Sequence, residues 1–509
     1  MPLKPHQSTP AIEQSGVSET KTIVIPAAVL MSGRVAAFAV TFVIPVVLAR
    51  IFDPEQFGTY KQLFLIYATV SAVAQMGMTS SLYYFLPSSG RDAGHYVANS
   101  LAVVGTVGLG FLIVSAAFAP RVAVWLGNPE LPAHIPLIGL YTFLMMLSGS
   151  LEIVLITEER VGWASVSYAL SDLARAIGLI LPALLFRQLH WLLVGAVCVA
   201  FLRASFVLLF YFAKYRHGFR MDLFALGRQW SYSLPFGLAG LIEVLQGTLP
   251  YYLVSYSFDS ATFAFFAVGC LEIPIVEFVA GSTGDVLMVK MQQGLAAGDV
   301  REVIEFWKDT TAKLAVLMFP LVALIVVAGR EIIVLIYSDK YLASVPIFLV
   351  FSTLTLLVPM QVDALLRVLA QTRYLFVLNL ARLSLVATLG IWALHQGGLV
   401  GLSIATVIAA IVCRAAAMAR VVALLDIGIL QVLPWRRLST LLAAAVVAAG
   451  VALSLKWQIH DVDTILLLPV LTIACGFTYA ALVWYLNLLS PSEMLIVRQL
   501  FAKCLPAKA

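Results

Sequence analysis

The chain has 509 residues, of which 61% are hydrophobic and 12% charged, with a mean hydropathy of +0.97. A soluble domain carries about 25% charged residues, so this sequence lacks the polar groups to cover a globular surface. A soluble enzyme, a nucleic-acid-binding module and a disordered chain are excluded, and the net charge of +5 is assigned to the Lys and Arg that membrane proteins gather in cytoplasmic loops.

Residues 1–22 are polar, with Pro2, Pro5 and Pro10, and read as a disordered cytoplasmic tail. Apolar runs of bilayer-spanning length follow at about 24–49, 62–86, 97–118, 134–157, 163–185 and 189–212. They form an N-terminal six-helix lobe over 23–212. A basic cytoplasmic linker over 213–230 carries Lys214, Arg216, Arg220 and Arg228. A second six-helix lobe over 231–424 holds runs at about 231–257, 261–288, 311–328, 345–366, 374–394 and 399–419. Two extra helices, 438–455 and 464–486, fall within 425–488, and 489–509 is a second cytoplasmic tail. The expected fold is therefore an all-α polytopic membrane protein of about 14 transmembrane helices. With the N-terminus inside, the cytoplasmic connectors and tails hold 19 Lys and Arg against 7 opposite, so both termini are placed in the cytoplasm.

The two lobes share local sequence. Arg50-Ile-Phe52-Asp53-Pro-Glu-Gln-Phe57 after the first span meets Tyr256-Ser-Phe258-Asp259-Ser-Ala-Thr-Phe263 after the seventh, at an offset of 206 residues. Pro120-Arg121-Val-Ala-Val-Trp-Leu126 meets Gly329-Arg330-Glu-Ile-Ile-Val-Leu335 at nearly the same offset. Six spans separate the copies, so they start on one membrane side and form a parallel repeat.

Two six-helix lobes with two added C-terminal spans resemble the multidrug/oligosaccharidyl-lipid/polysaccharide exporter superfamily. Within it, Leu48-Ala49-Arg50 followed by Phe57-Gly58-Thr59-Tyr60 resembles the turn of the Wzx-type oligosaccharide flippases. The resemblance implies a transporter of the cell inner membrane that flips undecaprenyl-diphosphate-linked oligosaccharide for polysaccharide biosynthesis by alternating access. A drug/cation antiporter shares that fold. A membrane glycosyltransferase or polymerase is a remote alternative, carried only by Asp53-Pro54-Glu55.

Ionisable groups inside spans are costly and mark function or pairing. A diphosphate headgroup calls for Arg, whose planar fork binds phosphate oxygens in pairs. Arg34, Arg203 and Arg414 are the expected cationic cavity residues, Arg34 leading because the resemblance puts the first span at the cavity. Asp172 and Arg175, three residues apart, lie on one helix face and are expected to pair. The eighth span holds Glu272, Pro274, Glu277 and Asp285; a proline inside a helix frees a carbonyl, and broken helices mark ion sites in transporters. Glu243, Glu272 and Glu277 are the candidates for coupling a proton or sodium ion.

Five scattered cysteines with no CxxC or Cys/His cluster support neither a disulfide framework nor a zinc site. No G-x-x-x-x-G-K-[ST] pattern occurs, so no ATP site or other cofactor is expected. The expected partners are the polyprenyl-linked glycan, the bilayer, a coupling ion and polysaccharide polymerase or export proteins, with no nucleic acid.

Overall fold

The computed structural model describes residues 16–216, 218–459 and 464–489, together with residue 494. Most of the two expected tails lies outside them. From the first half of the sequence come α1 (Gly16–Ile51), α2 (Pro54–Gln75), α3 (Met78–Ser89), α4 (Ala93–Trp125), α5 (Leu131–Ser148), α6 (Leu151–Thr157), α7 (Val161–Phe186) and α8 (Leu189–Lys214). There follow α9 (Leu223–Ser257), α10 (Ser260–Gly269), α11 (Pro274–Ala296), α12 (Val300–Ile336), α13 (Val345–Ser352) and α14 (Val362–Val368). The last are α15 (Thr372–Leu425), α16 (Ile429–Val432), α17 (Trp435–Gln458) and α18 (Thr464–Tyr485). No strand occurs among the described residues, as expected where lipid cannot hydrogen-bond an open backbone edge.

Ten spans among the described residues are long and apolar enough to cross a bilayer. They become twelve when the bent pairs α2–α3 (41°) and α10–α11 (51°) each count as one. Within α15, Gly398 at φ 56° and ψ −142° turns the chain between two expected spans. The architecture is consistent with the expected fourteen. Both bent pairs occupy the second position of their repeat.

The chain divides into two compact units. The first takes residues up to 45, 70–117 and 134–238; the second takes 46–69, 118–133 and 239 onward. In the first unit the core joins Leu82, Phe85, Val97, Val154, Val207 and Tyr211. Helices α7 and α8 approach until a Cβ on Gly195 would lie 2.2 Å from the Gly178 carbonyl oxygen, the close small-residue contact that lets helices pack in lipid.

In the second unit, α17 lays Ala444, Ala445, Ala448 and Ala452 into a core with Trp307, Phe319 and Leu471. The Trp307 indole N–H donates to the Met360 carbonyl at 2.6 Å. Lys456 binds Glu331, which is 2% exposed, at 2.8 Å, and so ties α17 to α12.

The repeated Asp has a local cause. Asp53 accepts the Gln56 backbone N–H at 2.8 Å and Asp259 accepts that of Thr262 at 2.8 Å. Each caps the helix that follows it, and Pro54 suits the first position of α2 because its missing N–H has no helical partner there. The bonds from Thr262 hold the Asp259 carboxyl below its ordinary pKa, so this cap is lost only as pH falls through that lowered value. Asp53→Ala is expected to cost about 1 kcal/mol, read as a lower thermal unfolding midpoint in detergent, with Asp53→Asn close to the parent. An unchanged midpoint in the alanine variant would remove the cap from the account.

The remainder of the turn builds a buried polar network in the second unit. Gln62 donates to the Leu126 carbonyl at 3.1 Å and to Ser255 Oγ at 2.8 Å. Asn128 donates to Gln62 Oε1 at 2.6 Å and to Thr59 Oγ1 at 2.9 Å. Phe57 packs edge-on against Tyr341, with ring centroids 5.6 Å apart. At Gly58 a Cβ would lie 1.8 Å from the Ser260 carbonyl oxygen, so the first turns of α2 and α10 meet backbone to backbone.

Candidate functional site

Between α10 and α11 the helix stops. Pro274 supplies no N–H and forces the preceding residue out of the helical region; Ile273 accordingly sits at φ −85° and ψ 113°. Glu272 falls in the non-helical link and Glu277 in the first turn of α11. Both line a cavity of about 590 Å³ in the second unit, with Gln246, Tyr251, Thr355, Gln361, Arg382 and Thr406 also on its walls. Lys61 of α2 is electrostatically coupled to Glu272, and its Nζ lies 5.6 Å from the centroid of the Phe57 ring. The broken helix thus gathers two carboxylates with a lysine close by.

Arg382 stands on the first part of α15 and also lines an adjoining cavity of about 160 Å³, together with Asp363, Asn379 and Arg414. Arg414 Nη1 lies 3.2 Å from Asp363 Oδ2. Arg382 itself makes no hydrogen bond or ion pair among the described residues, although the charges of Arg414 and Asp363 act on it. Two guanidinium groups therefore share one carboxylate at this end of the cavity. The smaller cavity is net positive, which favours an anion there, whereas Glu272 and Glu277 against Arg382 leave the larger one net negative.

The first unit treats its charges differently. Arg203 meets Glu152, only 3% exposed, at 2.9 and 3.2 Å from its two oxygens. Ser167 Oγ donates to the same carboxylate at 2.8 Å. Asp172 and Arg175 lie 2.7 Å apart, and Arg175 also donates to Thr41 Oγ1 at 2.6 Å. Arg34 lies on α1 with its side chain outside the described residues. Glu243 is exposed on α9 and does not line the carboxylate cavity, and Lys313 pairs with Asp309 at 2.6 Å on its own helix.

Glu272 and Glu277 are thus brought to one cavity, whereas Arg203 belongs to the first unit and Arg414 to the second. Lys61 and Arg382 are not among the candidates that the sequence singles out. A signal for Arg382 was present: positions 378, 379, 385 and 386, its neighbours on the helix face, are Leu, Asn, Leu and Val. Asp172 gives Arg175 the carboxylate that Arg382 lacks on its own helix.

The sequence pattern described as polysaccharide biosynthesis protein matches residues 47–346. No curated protein matches the chain. Among solved structures, the lipid II flippase MurJ in an inward closed conformation superposes with a TM-score of 0.71 at 12% identity, over 91% of this chain and 99% of that one. An inward-facing multidrug resistance MATE transporter gives 0.63 at 14% identity, over 76% and 95%. A transporter of the MOP superfamily from Pyrococcus furiosus, described by the reverse polarity of its binding pocket, gives 0.53 at 13%, over 79% and 95%. At these identities the likeness is one of fold, and that fold is a multi-pass membrane transporter fold.

Proposed function

The chain belongs to the polysaccharide biosynthesis protein family, and from that premise we propose that it flips a polyprenyl-diphosphate-linked oligosaccharide across the inner membrane by alternating access, both termini lying in the cytoplasm. The observation that carries this reading is Arg382: a half-buried guanidinium on the wall between two cavities, beside Arg414, with no hydrogen-bond partner among the described residues. A diphosphate supplies the oxygens such a group needs. Arg414 shares the work of attraction while Asp363 holds it in place. Arg34, whose side chain lies outside the described residues, stays a candidate cation on the ground of sequence alone, and Arg203, bonded to Glu152, acts through structure.

Glu272 and Glu277, accessible in the same cavity, the first of them close to Lys61, are assigned the loading of a proton or sodium ion. Consumption of the glycan by a polymerase or export protein on the far side would also drive net transport. The two carboxylates favour one second reading, an antiporter of cationic drugs.

Lipid extracts of cells lacking the protein separate the two. Accumulation of an undecaprenyl-diphosphate-linked oligosaccharide supports the flippase and identifies its glycan. An unchanged lipid profile with altered sensitivity to cationic drugs supports the antiporter. In a complemented strain, Arg382→Ala is expected to lower flipping about tenfold or more, since one charge-assisted contact of roughly 1.4 kcal/mol is a factor of ten. Arg382→Lys retains part of the activity because it keeps the charge and loses the fork. Full flipping by a folded alanine variant would take Arg382 out of the site.

A further inference from the structure

The first unit carries an exposed aromatic surface apart from the residues assigned to the diphosphate. Tyr84 of α3 and Tyr232 of α9 stack with ring centroids 4.6 Å apart and planes 16° from parallel. Both remain open to their surroundings, 60% and 48% exposed. Behind them Phe85 meets Tyr84 and Tyr232 edge-on at 5.0 and 5.6 Å. It stacks in turn on Tyr96 of α4 at 4.8 Å. The outer rings are thus braced by inner ones.

The helices that bear them are fixed by buried polar bonds. Gln229, fully buried, donates to Ser81 Oγ at 2.9 Å and to Ser100 Oγ at 2.7 Å, joining α9 to α3 and α4. A Cβ on Gly237 would lie 2.3 Å from the Met76 carbonyl oxygen, so α9 also abuts the break that sets the direction of α3. Neither ring is free to swing away as an isolated interface tyrosine is.

A cation stands beside the rings. Arg228 lies one turn before Tyr232 on the same face of α9, about 6 Å along the axis. Its guanidinium sits 5.9 Å from the centroid of the Phe85 ring. Exposed, it makes no hydrogen bond or ion pair among the described residues. An aromatic ring holds this cation without neutralising it, which leaves its donors available.

We propose that Tyr84, Tyr232 and Arg228 form a sugar-reading site within the first unit, a pyranose of the glycan lying its C–H face on the tyrosine pair while Arg228 donates to the oxygens of that sugar. The proposal rests on the flippase reading and adds to it a contact that recognises the glycan rather than the lipid. Flat, pre-oriented aromatic faces present a large contact area at little entropic cost. A lipid-interface belt needs amphipathic rings at the right depth; it needs neither the parallel stack nor the unneutralised cation one turn away.

The test measures binding of two probes to the purified full chain in nanodiscs. One is undecaprenyl diphosphate; the other is the undecaprenyl-diphosphate-linked oligosaccharide extracted from cells lacking the protein. Tyr84→Leu with Tyr232→Leu, which keeps apolar cover and removes the rings, is expected to weaken the glycosylated probe about tenfold and the bare diphosphate less than about twofold. Tyr84→Phe with Tyr232→Phe keeps the rings and is expected to match the parent, whereas Arg228→Ala weakens the glycosylated probe and leaves the bare diphosphate within about twofold. Equal losses for the two probes in the leucine variant, or no loss, would overturn the reading site and leave the flippase intact. Failure of the parent protein to bind either probe would overturn both.

Discussion

Arg203→Met is expected to destabilise the protein by about 3–5 kcal/mol, because it leaves the Glu152 carboxylate, 3% exposed, buried without its cation. The Ser167 hydroxyl at 2.8 Å satisfies one oxygen and supplies no charge. Loss of folded protein on size exclusion in mild detergent, with a lower unfolding midpoint, is the readout. The double variant Arg203→Met with Glu152→Leu is the sharper measurement. Replacing a buried ion pair by apolar residues of similar volume is often neutral, so the double variant is expected to recover most of the stability. If it recovers both fold and flipping, Arg203 is a structural cation. If it recovers the fold alone, Arg203 contributes to transport as the sequence suggested.

Gly58→Ala is expected to cost about 1–3 kcal/mol or more and to abolish transport. The added carbon would lie 1.8 Å from the Ser260 carbonyl oxygen, and a backbone atom cannot turn aside as a flexible side chain does. The first turns of α2 and α10 must separate, and the Gln62–Asn128–Ser255 network beside them loses its geometry with them. Buried amides left unpaired then add their own penalty. Gly110→Ala in α4 is the control, since nothing lies within 4 Å of its Cβ position; there alanine is expected to be neutral or mildly stabilising. Equal unfolding midpoints for the two variants would show that the close approach at Gly58 is not rigid. The Phe-Gly-Thr-Tyr turn therefore has a mechanical reading: Phe57 anchors an aromatic cluster, Gly58 permits helix contact and Thr59 joins a polar network.

The sequence also located the break in the eighth span, because the cause is covalent. Proline has no N–H wherever the helix is placed, so Pro274 removes one helical hydrogen bond in any tertiary setting, although Pro120 and Pro182 lie inside helices that run on past them. The same holds for the caps: Asp53 and Asp259 act on backbone three residues away, and their repeat in sequence is a repeat of local geometry. The pair Asp172–Arg175 is local too, set by the pitch of one helix. In each case the partner lies within one turn.

Length, apolar content and the spacing of long apolar runs by themselves determined that the chain is helical and crosses a membrane many times. Lipid leaves the backbone no other choice than to close its hydrogen bonds within each segment, so hydropathy suffices for that much. Tertiary structure alone decided which charges are free. Arg203 finds Glu152 51 residues away and Arg414 finds Asp363 51 residues away, while Arg382 finds no direct partner among the described residues and Lys61 comes near Glu272 from another part of the chain. Helical periodicity says which residues share a face, but the rotation of each helix about its axis and its distance from its neighbours follow from how side chains interlock between segments. Whether a buried charge is structural or available to a ligand depends on those two quantities, and they exist only once the helices have packed.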